Sequence, residues 1–221
     1  GLGLNLGLKG LVFSVLFTGT VSIAVYSRHR LQQVKAPDNA PPSDKPSLLL
    51  YCVAIVLVLG MAYPNLDEYP WTAPDELHHL VVARNLAVHN AYASGNPEKG
   101  FTYFDYYDSV GVSVLGPIAL AFKAFSPTLV TARLVLATSY LLLCLGVWCF
   151  IRRYWDTTAA LVSVLTITLT FGSVYLARSL YGEVPALMSF LWSMVFWGKS
   201  FDSKRVRTLT AFAGVFWGLA V

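Results

Sequence analysis

Long apolar runs alternate with short basic or polar connections along most of this chain. A bilayer-spanning helix needs roughly 17–25 mostly apolar residues, and residues near its ends contribute to that length. By this criterion a candidate helix begins near Leu209, and five others lie before it: residues 8–26, 48–63, 133–151, 157–177 and 184–198. The pattern therefore predicts an all-α, polytopic transmembrane protein.

The composition agrees with a membrane protein. Hydrophobic residues make up 56% of the 221 residues and charged residues only 13%, which is more apolar and less charged than an ordinary soluble domain. The net charge is +4, but the basic residues form short clusters and no continuous stripe, which argues against a nucleic-acid partner. The three cysteines lie within apolar runs and predict no disulfide framework.

The basic residues predict how the chain is oriented in the membrane. They concentrate in three connections, at residues 28–45, 152–153 and 199–207. Cytoplasmic loops are enriched in Lys and Arg, so the outer loop 64–132 belongs on the opposite face. If Val110–Phe125 also crossed the membrane, the basic clusters before and after the outer loop would lie on opposite sides of the membrane. This run therefore predicts an amphipathic interfacial or re-entrant segment.

The sequence divides at about residue 47. Residues 1–47 predict an additional N-terminal membrane helix followed by a Pro-rich cytoplasmic linker, which has no apolar periodicity. Residues 48–221 predict the N-terminal part of a larger transmembrane domain. The chain begins without Met and stops inside an apolar run, so we expect it to be part of a longer protein.

An acidic pair, Asp75 and Glu76, follows the apolar run that ends at Tyr63. Two neighbouring carboxylates beside a membrane can accept a proton from a hydroxyl group or bind a divalent cation. The alternative is that Asp75 only stabilises the start of a helix, where negative charge is favourable. Too few other oxygen ligands are recognisable to define a metal site.

The segment after this pair predicts an amphipathic helix on the membrane surface. Thr72 is the expected N-cap and Pro74 lies in the first turn. Asp75 and His79 are four residues apart and share the face expected to point to water, where His79 would form hydrogen bonds. The opposite face is apolar and contains Leu77, Leu80, Val81 and Val88.

An aromatic segment of the outer loop provides candidate sugar contacts. Tyr103, Tyr106 and Asp108 lie in the run Phe101–Asp108. Aromatic rings pack against sugar rings, and acidic side chains accept hydrogen bonds from sugar hydroxyls. The same composition is typical of the aromatic belt at membrane interfaces, and both interpretations remain open.

A second outer corner contains Arg178, Tyr181 and Glu183. A guanidinium group matches phosphate oxygens in a forked geometry, so Arg178 is a candidate phosphate ligand. The alternative is an ion pair between Arg178 and Glu183 that anchors two helix ends. Tyr181 and Glu183 are candidate substrate contacts at the same corner.

These features follow one another along residues 48–221. The acidic pair follows a spanning helix, and after it come the interfacial segment Gly111–Phe125, the helix start Thr131–Leu134, the basic turn Arg152–Arg153 and the corner Arg178–Pro185. The ordered set resembles the GT-C membrane glycosyltransferases. It is most similar to the branch of dolichyl-phosphate-mannose protein mannosyltransferases and bacterial aminoarabinose lipid A transferases.

The resemblance implies an inverting hexosyl- or pentosyltransferase. Its donor would be a sugar on polyprenyl or dolichyl phosphate, and its acceptor a protein, lipid or glycan. Transfer would occur on the non-cytoplasmic face of a plasma (inner) membrane or an endoplasmic reticulum membrane. Asp75 would be the general base and Glu76 would assist it or contact the donor. Relatives often carry a Lys in the first loop, but the matching region Tyr106–Val110 has none, so the candidate cation for the phosphate is Arg178 or a group beyond Val221.

Two other classes of protein remain as alternatives. A transporter or lipid flippase usually places ionisable residues near the middle of the bilayer. The apolar runs 48–63, 134–151, 157–177 and 184–198 contain no Asp, Glu, Lys, Arg or His, which favours chemistry at the interface. The other alternative is a noncatalytic membrane subunit or an inactive fragment.

Overall fold

The computed structural model describes residues 48–103, 110–201 and 204–220, and these residues are mostly helical. They form eight helices and one antiparallel hairpin, in this order: α1 Leu48–Ala62, α2 Pro74–His89, β1 Ala93–Asn96, β2 Gly100–Tyr103, α3 Val112–Ala124, α4 Leu129–Tyr154, α5 Thr157–Leu169, α6 Phe171–Arg178, α7 Glu183–Ser200 and α8 Val206–Ala220. The helical fold class is confirmed for this part of the chain. The predicted helix at residues 8–26 and the linker after it lie outside the described residues.

Helix α4 is the central element of the fold. Its 26 residues have a length of about 39 Å at 1.5 Å per residue, and α4 is the one helix in the described ranges that is long and apolar enough by itself to cross a membrane. It begins earlier than the predicted start at Thr131. The hydroxyl of Thr128 accepts a hydrogen bond from the backbone N–H of Thr131 at 3.2 Å and caps the helix.

The predicted span at residues 157–177 is not one straight helix. It divides into α5 and α6, whose axes differ by 71°, and the two meet the criterion for a membrane span only as a pair. Thr166, Thr168 and Thr170 each donate a side-chain hydrogen bond to the carbonyl four residues earlier. Such back-bonding bends helices, and Gly172 follows with a low helix propensity.

Helix α3 contains the predicted interfacial segment. It has 13 residues with Pro117 inside it, and its length of about 20 Å is shorter than the roughly 30 Å of a bilayer core. This length agrees with a segment that does not cross the membrane alone. Helices α1 and α8, with 15 residues each, are also shorter than a typical crossing.

The hairpin β1–β2 is not predicted by the sequence. Its residues include few strong strand formers, but Asn85 of α2 holds it in place by donating to the carbonyls of Ala93 and Gly95 at 2.9 and 3.0 Å. Gly95 has a φ of 85°, and a Cβ atom there would lie 2.6 Å from the carbonyl oxygen of Gly100. A larger residue at position 95 would not fit.

Two apolar clusters hold the elements together. The first lies where α4 packs against α1, α5, α6 and α7, around Ala62, Ala137 and Tyr140. The second lies between α2, α3 and α4 and includes Ile118 and Leu180. Because Leu180 follows α6, the second cluster brings the 179–182 corner against the outer-loop helices.

Candidate functional site

A fully buried arginine organises the loop end of the fold. Arg133 of α4 has 0% of its surface exposed, and its Nε and Nη2 donate to the two carboxylate oxygens of Glu76 at 3.1 and 2.9 Å. Nη1 donates to the carbonyl of Leu66 at 2.8 Å, and Nη2 to that of Pro70 at 2.7 Å. A buried charge needs such partners, so this set of contacts, the Arg133 clasp, fixes the 64–73 loop and the start of α2 against α4.

Glu76 is a buried member of the clasp. Its exposed fraction is 1%, and Oε1 also accepts a hydrogen bond from the backbone N–H of Leu180 at 3.3 Å. The carboxylate therefore joins α2, α4 and the 179–182 corner. The predicted contact between Glu76 and a sugar donor does not fit this burial, because protein groups already occupy both oxygens. Glu76 instead positions its neighbour Asp75.

Helix α2 turns a different face to the protein from the predicted one. Glu76, His79 and Asn85 are buried with Val82 and Ala83. The predicted apolar side is largely exposed, at Leu77, Val81 and Val88. The prediction that His79 shares a water-facing side with Asp75 is therefore wrong. The clasp is the physical reason, since the buried guanidinium requires Glu76 on the inner face.

The predicted helix cap is also corrected. The N-cap of α2 is Ala73, which has an extended backbone and no side-chain capping bond, so Thr72 does not cap the helix. Pro74 lies at the first helical position, as expected. Asp75 lies in the first turn with its side chain exposed and is the accessible acid of the pair.

The start of α2 and the 179–182 corner are close together, because Glu76 accepts the backbone N–H of Leu180. Burial raises the pKa of the Tyr181 hydroxyl, and the nearby groups of Tyr175, Asp75, Glu76 and Glu183 raise it further. Glu183 is exposed at the start of α7, and Tyr181 is half-buried. Asp75 precedes Glu76 and Tyr181 follows Leu180, so the exposed Asp75 lies near the corner that carries Tyr181 and Glu183, and we call these three residues the acidic surface.

Arg178 lies below this corner at the end of α6. Only 6% of its surface is exposed, and Nη2 donates to the carbonyl of Met61. Its guanidinium carbon lies 5.7 Å from the ring centre of Tyr69, within the range of a cation–π contact. Nε has no hydrogen-bond partner among the described residues. The alternative ion pair between Arg178 and Glu183 is not among the salt bridges found in that part of the chain.

The remaining candidate residues are more scattered. Tyr103 is exposed at the end of β2 and contacts the ring of Phe101 at 6.3 Å between centroids. Tyr106 and Asp108 lie outside the described residues. Within the described ranges, no group of three or more His, Cys, Asp or Glu side chains is arranged to hold a metal ion.

His79 is buried next to the clasp. Burial lowers its pKa, and the charge of His78 lowers it further, while Asp75 acts in the opposite direction. Its Nδ1 atom has no hydrogen-bond partner in the residues described. The expectation of a hydrogen-bonding group accessible at the interface therefore does not fit the position of His79.

Arg133 is the main functional residue that the sequence does not identify. In the sequence it is noted only as part of a helix start. An arginine at the edge of an apolar run is energetically costly without a partner, and this cost is the signal that could have identified it. Comparison with protein-family models, curated proteins and solved structures gives no match to this chain. Its function is therefore inferred from the arrangement of these side chains.

Proposed function

We propose that this chain is part of an inverting, GT-C-type membrane glycosyltransferase. It transfers a hexose or pentose from polyprenyl or dolichyl phosphate to a hydroxyl group of a protein, lipid or glycan. The observation that supports the proposal is the exposed carboxylate of Asp75, next to the buried Glu76, which pairs with Arg133 and accepts the N–H of Leu180 at the second corner.

Asp75 is the general base of the proposed reaction. It accepts the proton of the acceptor hydroxyl as that oxygen forms a bond to the anomeric carbon of the sugar. The bond between the anomeric carbon and the donor phosphate breaks at the same time, and the lipid phosphate leaves with the electron pair. Attack from the side opposite the phosphate inverts the configuration.

Arg178 stabilises the leaving phosphate in this mechanism. Its guanidinium donates to one carbonyl, and its buried Nε has no partner among the described residues, so a hydrogen-bond donor remains for an anion that reaches it. Negative charge that develops on the phosphate strengthens such an interaction in the transition state, which is the requirement for catalysis. Tyr181, Glu183 and Tyr103 are the proposed contacts to sugar hydroxyls and rings.

The function requires a polytopic arrangement with the acidic surface on the non-cytoplasmic face. The basic connections at residues 152–153 and 199–207 support this orientation. Labelling of a single cysteine placed by Asn96→Cys, in a chain without its three native cysteines, tests it. Modification only from the non-cytoplasmic side is expected, and modification only from the cytoplasmic side would reject both the topology and the site.

The chemistry is tested by Asp75→Asn in the full-length protein, with Asp67→Asn as the matched control. Asp67 is an exposed acid of the same loop, outside the proposed site. Loss of a positioned base lowers the rate by about a hundredfold to ten-thousandfold. Transfer from a labelled polyprenyl-phosphate sugar, measured per inserted molecule, should therefore fall for Asp75→Asn alone. Equal rates for both variants would reduce Asp75 to a residue that stabilises the helix start.

A further inference from the structure

An apolar groove lies between α2 and α3, near the end of α2 that is remote from Asp75. Its volume is about 360 Å³. The residues that form its walls include Leu86 and Asn90 from α2 and Gly116, Pro117, Leu120 and Lys123 from α3. The walls consist mainly of aliphatic side chains and the small residues of α3, so the groove suits a hydrocarbon chain.

One end of the groove carries a positive charge. Lys123 lies in the last turn of α3, and its Nζ donates to the side-chain oxygen of Asn90 at 3.1 Å. Of the described residues that line the groove, Lys123 alone is charged. An ammonium group has three N–H donors, so the bond to Asn90 fixes the position of Lys123 and leaves donors for an anion.

The surroundings of the groove are apolar on the outward side. Val88 of α2 is exposed near the groove, and so is Leu120 of α3, with 68% of its surface accessible. Leu77 and Val81 continue the exposed apolar side of α2 towards Asp75. Exposed apolar residues beside a basic residue are typical of helices that lie in the interface of a membrane. At that depth the acyl chains of the bilayer can enter the groove.

We propose that this groove binds an anionic phospholipid of the bilayer. One acyl chain lies along Leu86, Pro117 and Leu120, and the phosphate pairs with Lys123. The net negative charge of the lipid complements a site whose lining has one cation and, among the described residues, no acid. Lipid binding at this groove does not depend on sugar transfer, and only the exclusion of the sugar donor rests on the proposed function.

The position of the groove along α2 separates it from the sugar donor. Asp75 and Asn90 are fifteen residues apart on one helix, which corresponds to about 22 Å at 1.5 Å per residue. A donor phosphate bound at Lys123 would hold its sugar far from Asp75. The occupant is therefore a phospholipid that holds α2 and α3 at the membrane surface, and the carrier of the transferred sugar binds elsewhere.

Native mass spectrometry of the full-length protein, with phosphatidylglycerol or phosphatidylcholine added, tests the charged end. One basic side chain near an anionic surface contributes about fivefold to binding. Lys123→Gln should therefore weaken phosphatidylglycerol binding about fivefold and phosphatidylcholine binding less, because the choline ammonium offsets the charge of the phosphate. The control is Lys99→Gln, an equal loss of charge at an exposed position of the same loop that does not line the groove. Equal effects of the two variants, or no preference for phosphatidylglycerol in the wild type, would overturn the proposal.

The apolar part is tested by Leu120→Asn against Val112→Asn, another exposed aliphatic position of α3 that does not line the groove. Only Leu120→Asn should reduce the binding of both phospholipids, and equal losses would count against the groove.

Competition with a polyprenyl phosphate distinguishes the two sources of phosphate. Stronger binding of the polyprenyl phosphate, lost in Lys123→Gln, would overturn the assignment to a bilayer phospholipid.

Discussion

Arg133 and Arg178 are both buried, but the protein provides hydrogen-bond partners for them to different extents. Arg133 donates four hydrogen bonds, two to a carboxylate and two to loop carbonyls. Arg178 donates to one carbonyl, packs against Tyr69 and leaves Nε without a partner in the described residues. The two guanidinium groups are therefore similarly buried but differ in how many of their N–H donors have partners. The first guanidinium is bound on all sides by protein groups, and the second is the one that we propose for the leaving phosphate.

The neighbouring acids show the same division. Glu76 is enclosed by the clasp, while Asp75 is exposed one residue earlier. Successive residues of a helix point about 100° apart, so one can enter the core while the other faces a substrate. The comparison predicts that substitutions in the clasp affect mainly stability and that substitutions at Asp75 and Arg178 affect mainly transfer.

The largest effect on stability is expected for Arg133→Met. Removal of one partner from a buried ion pair costs about 3–5 kcal/mol, because it leaves the charge of Glu76 buried and uncompensated. Chemical unfolding in detergent measures the loss, with the exposed Arg84→Met as the control. Replacement of both members by apolar residues, in Arg133→Met with Glu76→Leu, should recover part of it. Equal stability of the single variant and the wild type would show that the clasp does not support the fold.

Arg178→Ala should change transfer more than stability. Removal of a donor that meets transition-state charge typically lowers a rate by about 10²–10³-fold. Arg178→Lys keeps the charge without the fork and should retain part of the activity. Turnover and unfolding free energy, measured on the same preparations, separate the two effects. A loss of stability that accounts for the whole loss of rate would make Arg178 a second structural arginine.

Glu76→Gln distinguishes a positioning role from a catalytic one. The amide keeps the shape of the side chain but removes the counter-ion of Arg133, and we expect a destabilisation of about 1–3 kcal/mol. Because Asp75 is unchanged, turnover per folded molecule should fall much less than in Asp75→Asn. If Glu76→Gln folds as stably as the wild type but has lost transfer, Glu76 takes part in the reaction itself.

The smallest effect is a pH dependence from His79. Its folded-state pKa lies below the ordinary value of 6.5, so between the two values the unfolded state binds more protons. Its contribution to stability is therefore present above pH 6.5 and is lost as the pH falls towards the folded pKa. Thermal unfolding between pH 7.5 and 5 should show this decrease, and His79→Gln should make it smaller. His78 remains in both proteins, so an identical slope would assign the dependence to other groups.

The sequence predicts the helical segments well and their contacts poorly. The apolar runs mark α1, α4 and α7 to within a few residues, because burial in lipid or protein requires long uncharged segments. The clasp joins Arg133 to a carboxylate 57 residues away, and no local pattern contains this pairing. The resulting choice of inner face overrides the amphipathic pattern of α2. The bend at Thr170 requires side-chain bonds to the backbone, which are visible only in the folded helix.

The same clasp determines an order of assembly during synthesis. Glu76 receives Arg133 from 57 residues later in the chain and the N–H of Leu180 from 104 residues later. At about 5–20 residues per second, these partners are synthesised about 3–11 s and about 5–21 s after the acid. Until then the 64–73 loop has no anchor on α4, and Asp75 has no fixed neighbours at the corner. The acidic surface is therefore completed only after residues 180–183 have been synthesised, although Asp75 and Glu76 are made much earlier.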